Sequence, residues 1–132
     1  MPPPKVPKDL KDFVARHLPS VEHVEIFMVL RRNAVRSWSP PEMAEELGIP
    51  ARTASDVLEQ LASDNFLDIK LSNDILYRFN PATAGLEAAA ARFADYYVRE
   101  RIAVMNLVMT GTLNPMRVFA DAFRLKKDKG DG

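Results

Sequence analysis

The feature that most constrains the fold is a pair of short helical patterns separated by a single glycine. The first pattern opens at residues 39–42, where Ser39 can cap a helix, Pro40 suits its first position and Glu42 completes a capping box. Gly48 follows where a left-handed residue commonly ends a helix. A second helix begins around Pro50, and its apolar residues recur at helical spacing: Ala54, Val57, Leu58 and Leu61. The sequence therefore predicts two helices joined by a tight turn.

Two more helices are predicted before this pair. Residues 9–18 form a short helix with one apolar face. Ser20 is a good N-cap for the next helix, whose apolar residues recur at helical spacing: Val21, Val24, Phe27 and Met28. That helix ends near residues 31–33, where two arginines suit the negative end of the helix dipole.

A β-hairpin is predicted after the pair. Ile69 and Leu71 alternate with polar neighbours, and a second alternating run extends from Ile75 to Phe79. The short polar segment at residues 72–74 separates the two runs and supplies the turn. We expect a mainly α fold with a small β-hairpin.

The sequence predicts that the protein has four parts. Residues 1–8 contain four prolines and predict a disordered arm, and residues 9–80 form the main domain. Residues 81–125 form a C-terminal helical extension, with one helix from Pro81 to about Met109 and a last helix that begins at Asn114 and Pro115. Residues 126–132 are predicted to be a frayed tail.

The segment 42–61 resembles the helix-turn-helix of winged-helix bacterial transcriptional regulators, the broad group that includes the MarR-like and ArsR-like families. The resemblance covers about residues 20–80. The matching positions are Ala44, Gly48, Ile49, Thr53, Val57, Leu58 and Leu61. It implies a winged helix-turn-helix domain in which the second helix of the pair, about residues 51–63, enters the major groove of double-stranded DNA.

The resemblance also implies a set of DNA-contacting residues. Arg52 is the strongest candidate for base recognition, because arginine can hold guanine with two hydrogen bonds. The other candidates on this helix are Ala51, Thr53, Ser55 and Asp56. In the hairpin, which corresponds to the wing, the candidates are Lys70 and Asn73.

The charge balance favours an alternative. The chain has 18 basic and 18 acidic residues, and residues 51–80 have three basic residues against five acidic ones. DNA-binding proteins usually present a basic surface. The alternative is a winged-helix protein–protein interaction module that does not bind DNA.

The late helix predicts a homodimer. It is apolar on several sides, whereas the domain can cover only one of them. The predicted dimerisation residues are Val98, Ile102, Met105, Met109, Phe119 and Phe123. The alternative is a last helix that folds back within one protomer. By the same resemblance, an unidentified small-molecule effector would bind between the domain and the C-terminal helices.

Several other functions are disfavoured. The chain has no cysteine, and its only histidines, His17 and His23, do not predict a metal site. No glycine-rich phosphate loop or catalytic motif is present, so we expect neither an enzyme nor a cofactor. The apolar run at residues 102–109 is too short for a membrane span, which needs about 20 residues. With no signal peptide recognisable at the start of the sequence, we expect a cytoplasmic protein.

Overall fold

The structure, a computed structural model, describes residues 6–113. This part of the chain contains six helices and a three-stranded sheet. In chain order the elements are α1 (Lys8–His17), α2 (Val21–Arg32), β1 (Ser37–Trp38), α3 (Pro40–Leu47), α4 (Ala51–Ser63), β2 (Leu67–Leu71), β3 (Ile75–Phe79), α5 (Ala84–Arg99) and α6 (Arg101–Leu113).

Side-chain caps fix the starts of α2 and α3, as the sequence predicts. The Ser20 hydroxyl accepts a hydrogen bond from the backbone N–H of His23. At α3, the Ser39 hydroxyl accepts from the Glu42 N–H, and the Glu42 carboxylate accepts from the Ser39 N–H at 2.9 Å. Each cap satisfies donors that the first helical turn cannot pair internally.

The turn between α3 and α4 depends on Gly48. Its φ is +66°, in the left-handed region, and its N–H donates to the carbonyl of Ala44. Only three residues separate α3 from α4, and Ile49 among them is partly buried against the core. The inward face of α4 is buried through Ala54, Val57, Leu58 and Leu61. The predicted tight turn is confirmed.

The predicted hairpin is confirmed, and a third strand joins it. β2 and β3 pair antiparallel with Leu67 opposite Phe79 and Leu71 opposite Ile75. β1 pairs with the other edge of β3, which places Trp38 opposite Tyr77. The strand order is β1-β3-β2. β1 is absent from the sequence prediction because two residues are too few to show an alternating pattern.

An aromatic cluster joins the N-terminal and C-terminal helices in one core. The ring of Phe13 on α1 stacks on Phe93 of α5, with centroids 5.4 Å apart. Phe27 on α2 lies edge-on to Phe66 and Phe93, at 5.4 and 5.8 Å. At the surface, the guanidinium group of Arg92 forms two hydrogen bonds with Asp9. α1 therefore packs against α5 as well as against α2, its neighbour along the chain.

Two predicted boundaries are wrong. Val6 is buried and Lys8 already belongs to α1, so the predicted disordered arm cannot extend to residue 8. The expected helix from Pro81 to Met109 is two helices, because Glu100 leaves the helical conformation with φ −129° and ψ 51°. Residues 1–5, the predicted last helix and the predicted frayed tail lie outside the described residues. No helix within residues 6–113 is long and apolar enough to cross a membrane.

Candidate nucleic-acid interface

The predicted DNA-contacting residues of α4 lie along its outer side. Ala51, Arg52 and Asp56 are exposed, whereas Thr53 and Ser55 are half-buried. The orientation follows from helical spacing, because the apolar residues of α4 turn inward and the polar residues between them turn outward. α4 therefore presents Arg52 to solvent on its first turn.

The N-terminal end of α4 is free to bind an anion. Pro50 precedes the helix and has no side chain that could accept a hydrogen bond, and the first turn contains no acidic residue. The first backbone N–H groups of a helix lack internal partners and carry partial positive charge. Together with the guanidinium group of Arg52, they can bind a phosphate or the edge of a base.

Carboxylates dominate the rest of the helix pair. α3 and α4 contain one basic residue, Arg52, and five exposed acidic residues: Glu42, Glu45, Glu46, Asp56 and Glu59. Burial raises the pKa of the Tyr77 hydroxyl, and the nearby negative charge of Glu59 raises it further. The surface of α4 is therefore positive only at its N-terminal end.

In the hairpin, one of the two cations is already paired. The Arg78 guanidinium donates to the Asp68 carboxylate at 2.9 Å, and the Asn80 side chain donates to the same oxygen at 2.8 Å. These two donors, Asn80 first, hold the pKa of Asp68 below its usual value. Lys70 is exposed and unpaired within residues 67–79, and Asn73 is exposed in the turn.

The histidines hold the C-terminal half of α4, a role that the sequence prediction missed. His17 on α1 lies 2.8 Å from the Asp64 carboxylate, and His23 on α2 lies 2.8 Å from the side-chain oxygen of Gln60. The partners are 47 and 37 residues apart along the chain, so no local sequence pattern signals these contacts.

No protein-family model and no curated protein sequence matches the chain. Solved structures do. The reduced form of E. coli MarR matches with a TM-score of 0.51 at 14% identity, over 91% of this chain and 85% of that one. A mutant of E. coli MarR in complex with operator DNA matches with a TM-score of 0.51 at 16% identity, over 91% and 82% of the two chains. Bordetella bronchiseptica BpsR, whose DNA binding is regulated by 6-hydroxynicotinic acid, matches with a TM-score of 0.51 at 15% identity, over 92% and 82%.

The chain has the winged helix-turn-helix fold. In this fold α4 occupies the position of the second helix of the helix-turn-helix and the β2–β3 hairpin that of the wing, in agreement with the sequence prediction. The low identity to the solved structures establishes only the fold, so the wing turn without a Lys or Arg and the acidic outer side of α4 are described as properties of this chain.

The C-terminal helices of this winged-helix chain expose a second surface, which is apolar. Val98, Ile102 and Met109 are 74%, 76% and 51% exposed, whereas Met105 is partly buried. The opposite side of α6 is covered by the protomer itself, since Val104 and Val108 are buried. Of the several apolar sides predicted for this helix, one is therefore buried in the protomer and another is exposed. Phe119 and Phe123 lie outside the described residues.

A cleft of about 510 Å³ lies between α2 and the C-terminal helices of the winged-helix domain. Its lining includes three arginines and three less polar side chains: Arg31, Arg32, Arg101, Met28, Tyr97 and Val98. The cleft also contains Asp95, which pairs with Arg99 at 2.9 Å. Within residues 6–110, none of the three lining arginines has a carboxylate at ion-pairing distance. We find no group of three metal-ligating side chains in the described part of the chain.

Proposed function

We propose that the chain is a cytoplasmic, non-enzymatic transcriptional regulator that binds double-stranded DNA through α4 as a homodimer. The observation that carries this proposal is the first turn of α4, where an exposed Arg52 adjoins backbone N–H groups that no side chain caps. A MarR structure with operator DNA has the same fold, which supports placing α4 in the major groove.

The homodimer forms through the apolar surface of the C-terminal helices. Val98 and Ile102 are each about three-quarters exposed and lie on either side of the break at Glu100. Exposed apolar clusters of this kind mark interaction surfaces, and two-fold symmetry allows the same patch to cover itself. Two protomers then present two recognition helices to successive half-sites of one duplex.

The charges predict modest, locally concentrated DNA affinity. Arg52, the α4 N-terminus and Lys70 offer about three phosphate or base contacts per protomer, whereas Asp56 and Glu59 repel the backbone. Six contacts per dimer correspond to a slope of about −5 when the logarithm of the binding constant is plotted against that of salt concentration. Specific binding should therefore weaken steeply as the salt concentration rises, and its affinity should be modest even at low salt.

Fluorescence anisotropy of labelled duplex DNA tests the proposal. The duplexes are the upstream region of the gene and a random sequence of equal length, each titrated with protein at several salt concentrations. We expect Arg52→Ala to weaken binding of the homodimer to the upstream duplex by about a hundredfold, because two bidentate base contacts are lost at about tenfold each. Arg16→Ala is the matched control, since Arg16 is exposed on α1 and its neighbour His17 contacts the opposite end of α4.

The second candidate function is a protein–protein interaction module. The observation that favours it is the excess of exposed carboxylates on α3 and α4, five against one guanidinium. The same titration separates the two functions. Absence of binding to either duplex at low salt excludes the regulator and selects the interaction module, because nonspecific phosphate contacts are strongest at low salt.

We also propose that the arginine-lined cleft binds an organic anion as effector. Arg31, Arg32 and Arg101 supply guanidinium donors that suit a carboxylate, and Met28 and Tyr97 supply an apolar wall. BpsR, which shares the fold, responds to 6-hydroxynicotinic acid. The cleft adjoins Val98 of the proposed dimer surface, so a bound effector would alter the spacing of the recognition helices.

A further inference from the structure

The wing has an apolar face that nothing in the described chain covers. Residues 67, 69 and 71 of β2 and residues 75, 77 and 79 of β3 share one face of the hairpin. At the base this face belongs to the core, where Leu67 and Tyr77 are buried. Toward the tip it continues into solvent, where Ile69, Leu71 and Ile75 are 55%, 78% and 45% exposed. We call these three side chains the apolar wing face.

The strand beside this face is an open edge. β2 pairs with β3 alone, because the strand order is β1-β3-β2. An edge strand presents backbone N–H and C=O groups that can pair with an added strand. Natural edge strands are often protected by charges or prolines. β2 carries its charges, Asp68 and Lys70, on one face only, and its other face exposes Ile69 and Leu71.

An acidic side of α4 lies near the base of the apolar wing face. Glu59 lies close enough to Tyr77 for its charge to act on that hydroxyl, and Asp56 lies one turn earlier on the exposed side of α4. Neither carboxylate has an ion-pair partner among the described residues. Lys70 and Arg78 lie on the opposite face of the hairpin, as alternation along the strands requires.

We infer that the wing docks an extended, lysine- or arginine-bearing apolar segment of a partner protein. The segment adds a strand to the free edge of β2 and covers Ile69 and Leu71 with alternate apolar side chains. Its cations pair with Glu59 and Asp56. A nucleic acid does not fit the apolar wing face, because its phosphates would meet carboxylates and an apolar patch there. The site uses this face and the C-terminal half of α4 at Glu59, whereas the proposed DNA contacts lie at the first turn of α4 and at Lys70 on the opposite face of the hairpin, so the two sites are separate.

Binding of short synthetic peptides to the full chain tests this inference. The probe is a labelled peptide of about eight residues in which lysine and valine alternate, a length that spans one strand. The two control peptides are a glutamate–valine peptide of equal length and a lysine–valine peptide in which alternate backbone amides are N-methylated. We expect saturable binding of the first peptide only, because the second repels Glu59 and the third cannot donate the strand hydrogen bonds.

Variants locate the site. We expect the double variant Ile69→Ser with Leu71→Ser to weaken binding of the lysine–valine peptide at least tenfold, and Glu59→Gln to weaken it and flatten its salt dependence. Both positions of the double variant are more than half exposed, so the fold tolerates the change. Val35→Ser is the matched control, since Val35 is 93% exposed but lies outside the wing.

Three results would overturn the inference. Equal binding of the lysine–valine and glutamate–valine peptides would show that charge complementarity does not determine binding. Undiminished binding of the N-methylated peptide excludes strand addition. A smaller particle mass for the Ile69→Ser, Leu71→Ser variant in light scattering shows that a second copy of the chain, not a different protein, covers the wing.

Discussion

The imidazole of His23 links α2 to α4. Its Nε2 lies 2.8 Å from the side-chain oxygen of Gln60, and its Nδ1 lies 2.6 Å from the Ser20 hydroxyl. His17 makes the equivalent contact from α1, 2.8 Å from the Asp64 carboxylate. α4 is therefore held by polar contacts at its C-terminal half, while its N-terminal turn remains free for a ligand.

The first prediction concerns the pH dependence of stability. Burial lowers the pKa of His23 below its ordinary value of 6.5, against the opposing effect of the Gln60 hydrogen bond. Unfolded His23 therefore takes up its proton first as the pH falls through about 6.5, so the contribution to the free energy of unfolding is complete above that pH and is lost below it. When the pH is lowered from roughly 7.5 to 5.5, we expect the urea midpoint of the His23→Gln variant to fall less than that of the wild type. Equal falls in the wild type and the variant would show that His23 does not cause the effect.

The second prediction concerns the turn between α3 and α4. Gly48 has a φ of +66°, and a Cβ added there would have no atom within 4 Å. Gly48→Ala should therefore lower the free energy of unfolding by about 1 kcal/mol through backbone strain alone. Asparagine tolerates this conformation better, so Gly48→Asn should cost less. Urea denaturation followed by circular dichroism measures both, and an alanine variant as stable as the wild type contradicts the prediction.

The third prediction concerns the dimer. Ile102→Asp places a charge on an apolar side chain that is 76% exposed in the protomer, so the fold should survive and the homodimer should dissociate. Val35→Asp is the control, because Val35 is 93% exposed at a site remote from the C-terminal helices in sequence. Sedimentation or light scattering at micromolar concentration gives the mass. A wild-type protein that already has the mass of one chain would reject the proposed dimer.

The fourth prediction concerns the arginine-lined cleft. We expect a small aromatic carboxylate, with benzoate as the probe, to bind the full chain in calorimetric titration, and Arg101→Ala to weaken that binding about tenfold, the value for one charged hydrogen-bonded contact. Arg16→Ala is the control, since Arg16 is exposed on α1 and does not line the cleft. The amide of the same compound should bind poorly, because it lacks the negative charge. Equal affinity for acid and amide would show that the arginines do not recognise the ligand.

The sequence by itself determined the elements whose causes are local. The capping box at Ser39, the left-handed Gly48 and the alternating strands of the hairpin each depend on residues within a few positions of one another. The inward face of α4 followed from helical spacing, and so did the outward position of Arg52. These features predicted a mainly α fold with a hairpin, and their resemblance to winged-helix regulators then implied the winged helix-turn-helix fold.

Only the tertiary structure decided which groups remain free. It paired Arg78 with Asp68, covered Val104 while exposing Ile102, and brought His23 to Gln60. It also added β1 to the sheet and ended α5 at Arg99. Charge neutralisation and burial depend on which distant elements approach one another, and the spacing of residues along one helix or strand does not contain that information.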